Sequence, residues 1–322
     1  MGKLLLKLTI GIIIFSILVW KTGTAKIIEG LSQYSLIAIL LINLTTIASF
    51  LIGAAGMIIL GKAINPSMPW KKGVNGVLAV TSLSLFIPGR AGDLTLPFFW
   101  KKFMNAGECI TVVLIDKLIT LFWVFFFGVY GFFFIFQSML GIWIISGGAI
   151  GGMILLFLLL RMSSRKLIIS FLPNKIVTLF SDGLNAFRLM IKRGKGRLLT
   201  AFVLAGVRTL VSGLGFWISL WGLNIISPFY YANSIMAVGQ IISFIPVSIM
   251  GLGTLEAVCI YGMMQIDIAP NAVIVALTIG RIITISWLLV CLILGNFRNT
   301  LFDKGSPRGT PSTKDHPRYF AP

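Results

Sequence analysis

The chain has 322 residues, of which 57% are hydrophobic and 11% charged, and its formal net charge is +18. Soluble domains carry about 25% charged residues, so this composition excludes a water-soluble core. A backbone immersed in hydrocarbon must close its own hydrogen bonds as helix, which sets the expected fold class as all-α and polytopic.

Apolar runs and their breakers predict spans near residues 4 to 20, 34 to 60, 108 to 136, 142 to 160, 199 to 221 and 271 to 295. The first follows Lys3 and Lys7 like the start of a signal peptide. No small-x-small cleavage site is read in Lys21 to Lys26, so it is expected to be a retained anchor. Two further apolar stretches, Val74 to Ile87 and Ala232 to Ile245, are too short to cross comfortably, and each runs into Phe-Ile-Pro and a glycine-bearing turn. They are expected to be re-entrant hairpins that enter the membrane, break and leave on the same side.

The loop from Arg161 to Arg197 carries nine basic residues and the single acid Asp182, whereas Gln137 to Gly141 and Asn224 to Ser234 carry no charge. Positive loops stay inside, so the basic loop and the tail are expected to face the cytoplasm of a cell membrane. The order span, hairpin, span then occurs twice with opposite orientation, at 34 to 60, 74 to 100 and 108 to 136, and at 199 to 221, 232 to 265 and 271 to 295. Inverted repeats of this kind point to a substrate site near the midplane. One membrane domain is expected over residues 1–298, with a cytoplasmic amphipathic segment at about 162–197 and a mobile basic tail at 299–322. Within that segment, Ile176, Val177, Phe180, Leu184, Phe187 and Ile191 share one helical face, either at the membrane surface or packed on the ends of the spans. Gly147, Gly148, Gly151 and Gly152 have the small-residue spacing of close helix packing.

The basic residues lie in short runs between spans and form no continuous face, which argues against a nucleic-acid partner. Cys109, Cys259 and Cys291 show no CxxC spacing, and His316, the one histidine, is in the tail. No metal site, no cofactor and no enzymatic activity are expected.

The first break reads Phe86, Ile87, Pro88, Gly89, Arg90, Ala91, Gly92, Asp93; the second runs from Phe244 through Pro246, Gly251 and Gly253 to Glu256. Proline removes a helical donor and glycine permits unusual dihedrals, so backbone groups are left facing a cavity. A half-helix starting after such a break is expected to aim free N–H groups at an anion. An ionisable residue within a span costs about 2.5 to 3.5 kcal/mol on insertion scales and is a candidate for function. The candidates are Asp116, Lys117, Arg208 and Arg281 in the spans, with Arg90, Asp93 and Glu256 in the hairpins. Arg90 and Arg281 are expected to bind an anionic headgroup, with Asp93 and Glu256 orienting or neutralising them. Arg208 has no sequence neighbour suggesting a role and is expected to be structural, while Lys117 could snorkel to the inner interface.

The pattern "PGRAGDL" before a span bearing "DK", and "IPVSIMGLGTLE" before a span bearing "GR", resembles the flippase-like family that includes the membrane region of lysylphosphatidylglycerol synthetases. The likeness extends to about Arg298. It implies a plasma-membrane protein that moves or handles charged lipids, and it marks Pro88, Gly89, Arg90, Gly92, Asp93, Asp116, Lys117, Pro246, Gly251, Gly253, Glu256 and Arg281. The family more often has Glu at Asp93 and Glu-Arg at Asp116 and Lys117. These exchanges keep charge but replace a guanidinium fork by a point charge. The soluble aminoacyl-transfer domain of the synthetases is not found after Phe297, which argues against lysyl transfer by this chain alone. The expected partners are anionic or polyprenyl-phosphate lipids. The alternative is an accessory or scaffold protein that binds a lipid or a membrane enzyme without transport.

Overall fold

A computed structural model of the chain describes Trp20, Gly147 and residues 24–83, 88–136, 174–244 and 251–294. The expected spans at 4 to 20 and 142 to 160, Pro246, the glycines after Gly147 and the tail at 299–322 lie outside the described residues. Within them the chain is helical and contains no strand. In order the elements are α1 (Thr24–Ser32), α2 (Leu36–Ile64), α3 (Trp70–Leu83), a 3-10 turn (Pro88–Thr95), α4 (Leu96–Trp100) and α5 (Ala106–Phe136). They continue with α6 (Asn174–Arg193), α7 (Lys195–Trp221), α8 (Phe229–Phe244), α9 (Thr254–Met264) and α10 (Pro270–Leu294).

Four of these, α2, α5, α7 and α10, are long and apolar enough to cross a membrane. At 1.5 Å per residue, the 29 residues of α2 extend about 43 Å, beyond the ~30 Å of hydrocarbon. The 14 residues of α3 reach about 21 Å and the 16 of α8 about 24 Å, so neither crosses alone. Large apolar side chains on the long helices point outward: Leu40, Leu44, Phe126, Tyr130, Val203 and Leu289 are all exposed. Thr209, Ser219, Gln240 and Glu256 are buried. An apolar outside around a partly polar inside is the arrangement that lipid as solvent demands.

Helix α1 is an element the sequence reading lacks. It precedes α2 and rests on α10, where a side chain at Gly30 would touch Val275. The predicted ends of the long spans agree with the structure within a few residues. At α5 the start is fixed by a reciprocal cap: Glu108 N–H donates to Asn105 Oδ1 at 2.8 Å, and Asn105 N–H donates to Glu108 Oε2 at 2.9 Å. At the other end of α2, Arg197 donates to the carbonyl of Lys62 at 2.7 Å, satisfying one of the last acceptors of that helix.

Helix α6 forms over the predicted segment; Phe187 of the expected stripe packs against the core, and the side chains of Ile176, Val177 and Phe180 lie outside the described residues. Ala186 and Met190 are buried and Ile191 is exposed. The reason is close backbone approach, since Thr111 of α5 donates to the Gly183 carbonyl at 3.1 Å and a side chain at Gly107 would strike Leu179. Small residues, not the largest apolar ones, therefore decide which face of α6 meets the bundle, and α6 is packed on the ends of α5 and α2.

The most extensive helix contact is between α2 and α7. Crosswise, α3 packs on α10 and α8 packs on α5. A side chain at Gly131 would come within 2.6 Å of the Ser234 carbonyl oxygen, so α5 and α8 touch backbone to backbone. Two apolar clusters result. One joins the end of α2, α3, α4, the start of α5 and α6; the other joins the start of α2, the end of α7, α8, α9 and α10. Between them lie Thr45 to Gly53 of α2, Asp116 to Thr120 of α5 and Arg208 to Ser212 of α7.

Candidate functional site

That intermediate layer surrounds a cavity of about 350 Å³. Its charged lining is Asp93 from the 3-10 turn, Asp116 and Lys117 from α5, Arg208 from α7 and Arg281 from α10. Threonines 45, 120, 209 and 284, with Ser212 and Gln240, supply neutral polar groups. Position along the helices makes charge costly here, so these side chains need partners. Arg208 is thirteen residues into the 27 of α7 and Arg281 eleven into the 25 of α10, so both leave their helices near the middle, away from either end.

The cations and acids interlock. Lys117 Nζ is paired at short range with Asp93 Oδ2 and stands 3.8 Å from Asp116 Oδ2. Arg281 Nε donates to Glu256 Oε1 at 2.7 Å, and its Nη2 donates to the Gly251 carbonyl at 3.3 Å. The second oxygen of Glu256 accepts the Gly253 N–H at 2.7 Å. Arg208 Nη2 donates to the Thr120 hydroxyl and lies 3.7 Å from Asp116 Oδ1, beyond hydrogen-bond length.

Asp93, Asp116, Lys117 and Arg281 meet in the cavity, and Glu256 is buried behind Arg281 with 1% exposure. The backbone of Pro88, Gly89, Arg90 and Gly92 forms the 3-10 turn, and the Arg90 side chain lies outside the described part of the structure. Asp93 is paired with Lys117. The acid of the first break thus takes its cation from 24 positions later in the next long helix, as Glu256 takes Arg281 from 25 positions later. Lys117 therefore faces inward and does not snorkel.

Gly251 and Gly253 adopt φ of +69° and +81°, dihedrals that side-chain-bearing residues rarely take, and this lets the chain turn into α9. The expectation of an open helix start at this point is corrected. Glu256, in the first turn of α9, folds back onto the Gly253 N–H and occupies the end of the helix with its own carboxylate. No separate anion is needed to satisfy that donor.

Arg208, which has no local partner in the sequence, lines the same cavity. It reaches across to α2, where a side chain at Gly53 would lie 2.9 Å from its Nη1, and glycine there leaves room for the guanidinium. Its signal was present: a lone arginine in the middle of an apolar span needs partners, but these come from α5, 88 residues away for Thr120, and no local motif reveals them. Gln240 and Ser212 were missed. They hydrogen-bond each other at 3.1 Å across the α7–α8 contact, and isolated amides and hydroxyls in a helix give no pattern of their own.

Among the charged residues of this layer there are three acids, Asp93, Asp116 and Glu256, and three cations, Lys117, Arg208 and Arg281. Desolvation makes such a set costly unless the charges are matched, and matched charges can be exchanged for those of a ligand. The site can therefore hold an ionic group by substitution of partners.

A comparison with curated proteins finds no match. The family model of the lysylphosphatidylglycerol synthase TM region matches residues 4–295, which include every charged residue of the cavity, and the chain is a membrane protein belonging to that family.

Proposed function

We propose that the protein binds anionic, phosphate-bearing lipids by their headgroups in this cavity and carries them across a cell membrane. The observation that carries the reading is the cavity itself, with three cations and three matching acids at the middle of a bundle whose outside is apolar. Its volume of about 350 Å³ suits a headgroup and is too small for acyl chains, which would stay in the surrounding lipid. The family membership fits a role in lipid handling.

In this reading α3 with α4 forms one re-entrant hairpin and α8 with α9 the other, inserted from opposite sides as an inverted repeat. Three observations support it: the shortness of α3 and α8, their crosswise packing on α10 and α5, and the matched pairs Asp93–Lys117 and Glu256–Arg281. The basic segment containing α6 is then cytoplasmic. Each acid lies within 4 Å of a cation, an arrangement that suits binding and partner exchange. We read the chain as a carrier, not an enzyme.

One observation favours a second reading. The matched charges could hold the bundle rigid, as in an accessory protein that binds a lipid or a membrane enzyme and moves nothing. Reconstitution separates the two. Proteoliposomes should speed the transbilayer movement of a labelled anionic phospholipid, and Arg208→Gln and Glu256→Ala should slow it. Rates equal to those of empty liposomes across anionic and polyprenyl-phosphate lipids, with lipid or a partner enzyme still co-purifying, would replace transport by the accessory role.

A further inference from the structure

Two of the three cavity cations are closely engaged by carboxylates, Lys117 by Asp93 and Arg281 by Glu256. Arg208 differs. It is positioned by the Gly53 notch and by the Thr120 hydroxyl, which itself donates to the Asp116 carbonyl at 2.7 Å and is therefore fixed in direction. Its carboxylate neighbour remains at 3.7 Å. On the other side of the same pair, Asp116 is 4% exposed and lines the cavity, yet its Oδ2 accepts no hydrogen bond; the nearest cation, Lys117, stands 3.8 Å away. A buried carboxylate oxygen without a donor is costly; Oδ2 has essentially no accessible surface, so a ligand's donor reaches it once the Asp116 side chain turns toward the cavity.

We infer that Arg208 and Asp116 form a two-point headgroup site, in which Arg208 takes the anionic oxygens of a phosphodiester and Asp116 Oδ2 accepts a hydrogen bond from a hydroxyl or ammonium on the same headgroup. This rests on the lipid-binding reading above and adds a selectivity to it. The guanidinium provides paired donors for two phosphate oxygens, and the carboxylate provides only acceptors. Together they discriminate a phosphodiester bearing a donor from one of equal charge without it. Selection of this kind is strong, because a ligand lacking the donor leaves the buried oxygen unpaired.

The test uses the full chain in detergent micelles and two short-chain lipids of the same charge. Phosphatidylglycerol carries hydroxyl donors and phosphatidylethanol carries none. Wild type should bind phosphatidylglycerol at least about tenfold more tightly, the factor for one charge-assisted hydrogen bond. Asp116→Ala should bring the two lipids within about twofold while keeping or tightening the binding of phosphatidylethanol, since Arg208 loses its competing carboxylate. Retained binding of that lipid also shows the variant is folded. Arg208→Gln should weaken both lipids by a similar factor of about ten or more. A preference that survives Asp116→Ala overturns the inference, as does equal binding of both lipids by wild type, and both outcomes leave lipid binding intact. Failure of wild type to bind either lipid overturns the lipid reading together with the inference. Soluble glycerol phosphate serves as a third arm. If it competes at concentrations matching phosphatidylglycerol, the two-point site stands and the lipid is overturned as its source.

Discussion

The pair Glu256–Arg281 offers the sharpest test of how the second break is held. Replacing Glu256 by Ala removes the acceptor of the Gly253 N–H, a loss comparable to that of a helix cap at about 1 kcal/mol. It also leaves Arg281, whose side chain is 18% exposed, without its carboxylate. Breaking a buried pair from one side typically costs about 3 to 5 kcal/mol, so the combined effect should be roughly 4 to 6 kcal/mol. Reversible unfolding by SDS in mixed micelles gives the measurement. The companion variant Glu256→Ala/Arg281→Met separates the two contributions, because removing the stranded cation should recover at least about 2 kcal/mol even though a second native residue has been lost. If the double variant is less stable than Glu256→Ala by as much as Arg281→Met alone destabilises wild type, the losses are additive and the pair is not coupled. A cost below about 0.5 kcal/mol for Glu256→Ala, the size of an ordinary surface substitution, would refute the reasoning altogether.

Other expectations follow from the same structure. Gly251→Ala should cost about 2 to 4 kcal/mol in the same unfolding assay, combining a positive φ of +69° with a Cβ only 2.6 Å from that of Ser243; wild-type stability would show that the turn into α9 is not as described. Asn105→Ala should lower stability by about 1 kcal/mol through loss of the α5 cap, and Asn105→Asp should restore it. The Tyr34 phenol, which donates to the Ser219 carbonyl at 2.7 Å, is pushed up to about 12 by burial. The unfolded chain ionises this group first, near the ordinary value of about 10, so its contribution to stability is complete below that pH and is lost as pH rises toward 12. Comparing the alkaline stability of wild type with Tyr34→Phe measures it, and identical slopes between pH 10 and 12 would count against a buried phenol.

The long helices were legible because lipid leaves one solution for an apolar run of more than 20 residues, and α2, α5, α7 and α10 obey it. The acids at the two breaks and the charges in the following spans were legible for the same reason, since each stands out against an apolar background. Pairing was harder to read. Asp93 had Arg90 three residues away and Lys117 on another helix, and the structure joins it to Lys117. Arg208 had no local partner, so its role depended on a helix contact that the sequence does not announce. Helix α6 shows a related limit. Its apolar stripe was visible, but Gly107 and Gly183 bring its backbone close to α5 and turn Ala186 and Met190 inward in place of Ile191. Small residues govern approach in tightly packed helices, and hydropathy alone does not register them.

A balanced set of charges has a consequence for transport. If the cavity held only cations, a phosphate would bind tightly and leave slowly. With Asp93, Asp116 and Glu256 present, a phosphate arriving in the proposed carrier would exchange with a carboxylate, and the net gain would be the difference between two similar interactions. The contacts also rank the cations. Arg281 is committed by the Gly251 carbonyl as well as by Glu256, and displacing it would release the turn into α9; Lys117 is held closely by Asp93. Arg208, 3.7 Å from Asp116 and kept in place independently by Thr120 and the Gly53 notch, can accept a new anion without disturbing a helix break. On the proposed carrier reading, binding at that position would be favourable enough for a headgroup to enter and weak enough for it to depart, which is the condition that a carrier or channel must meet and that a storage site need not.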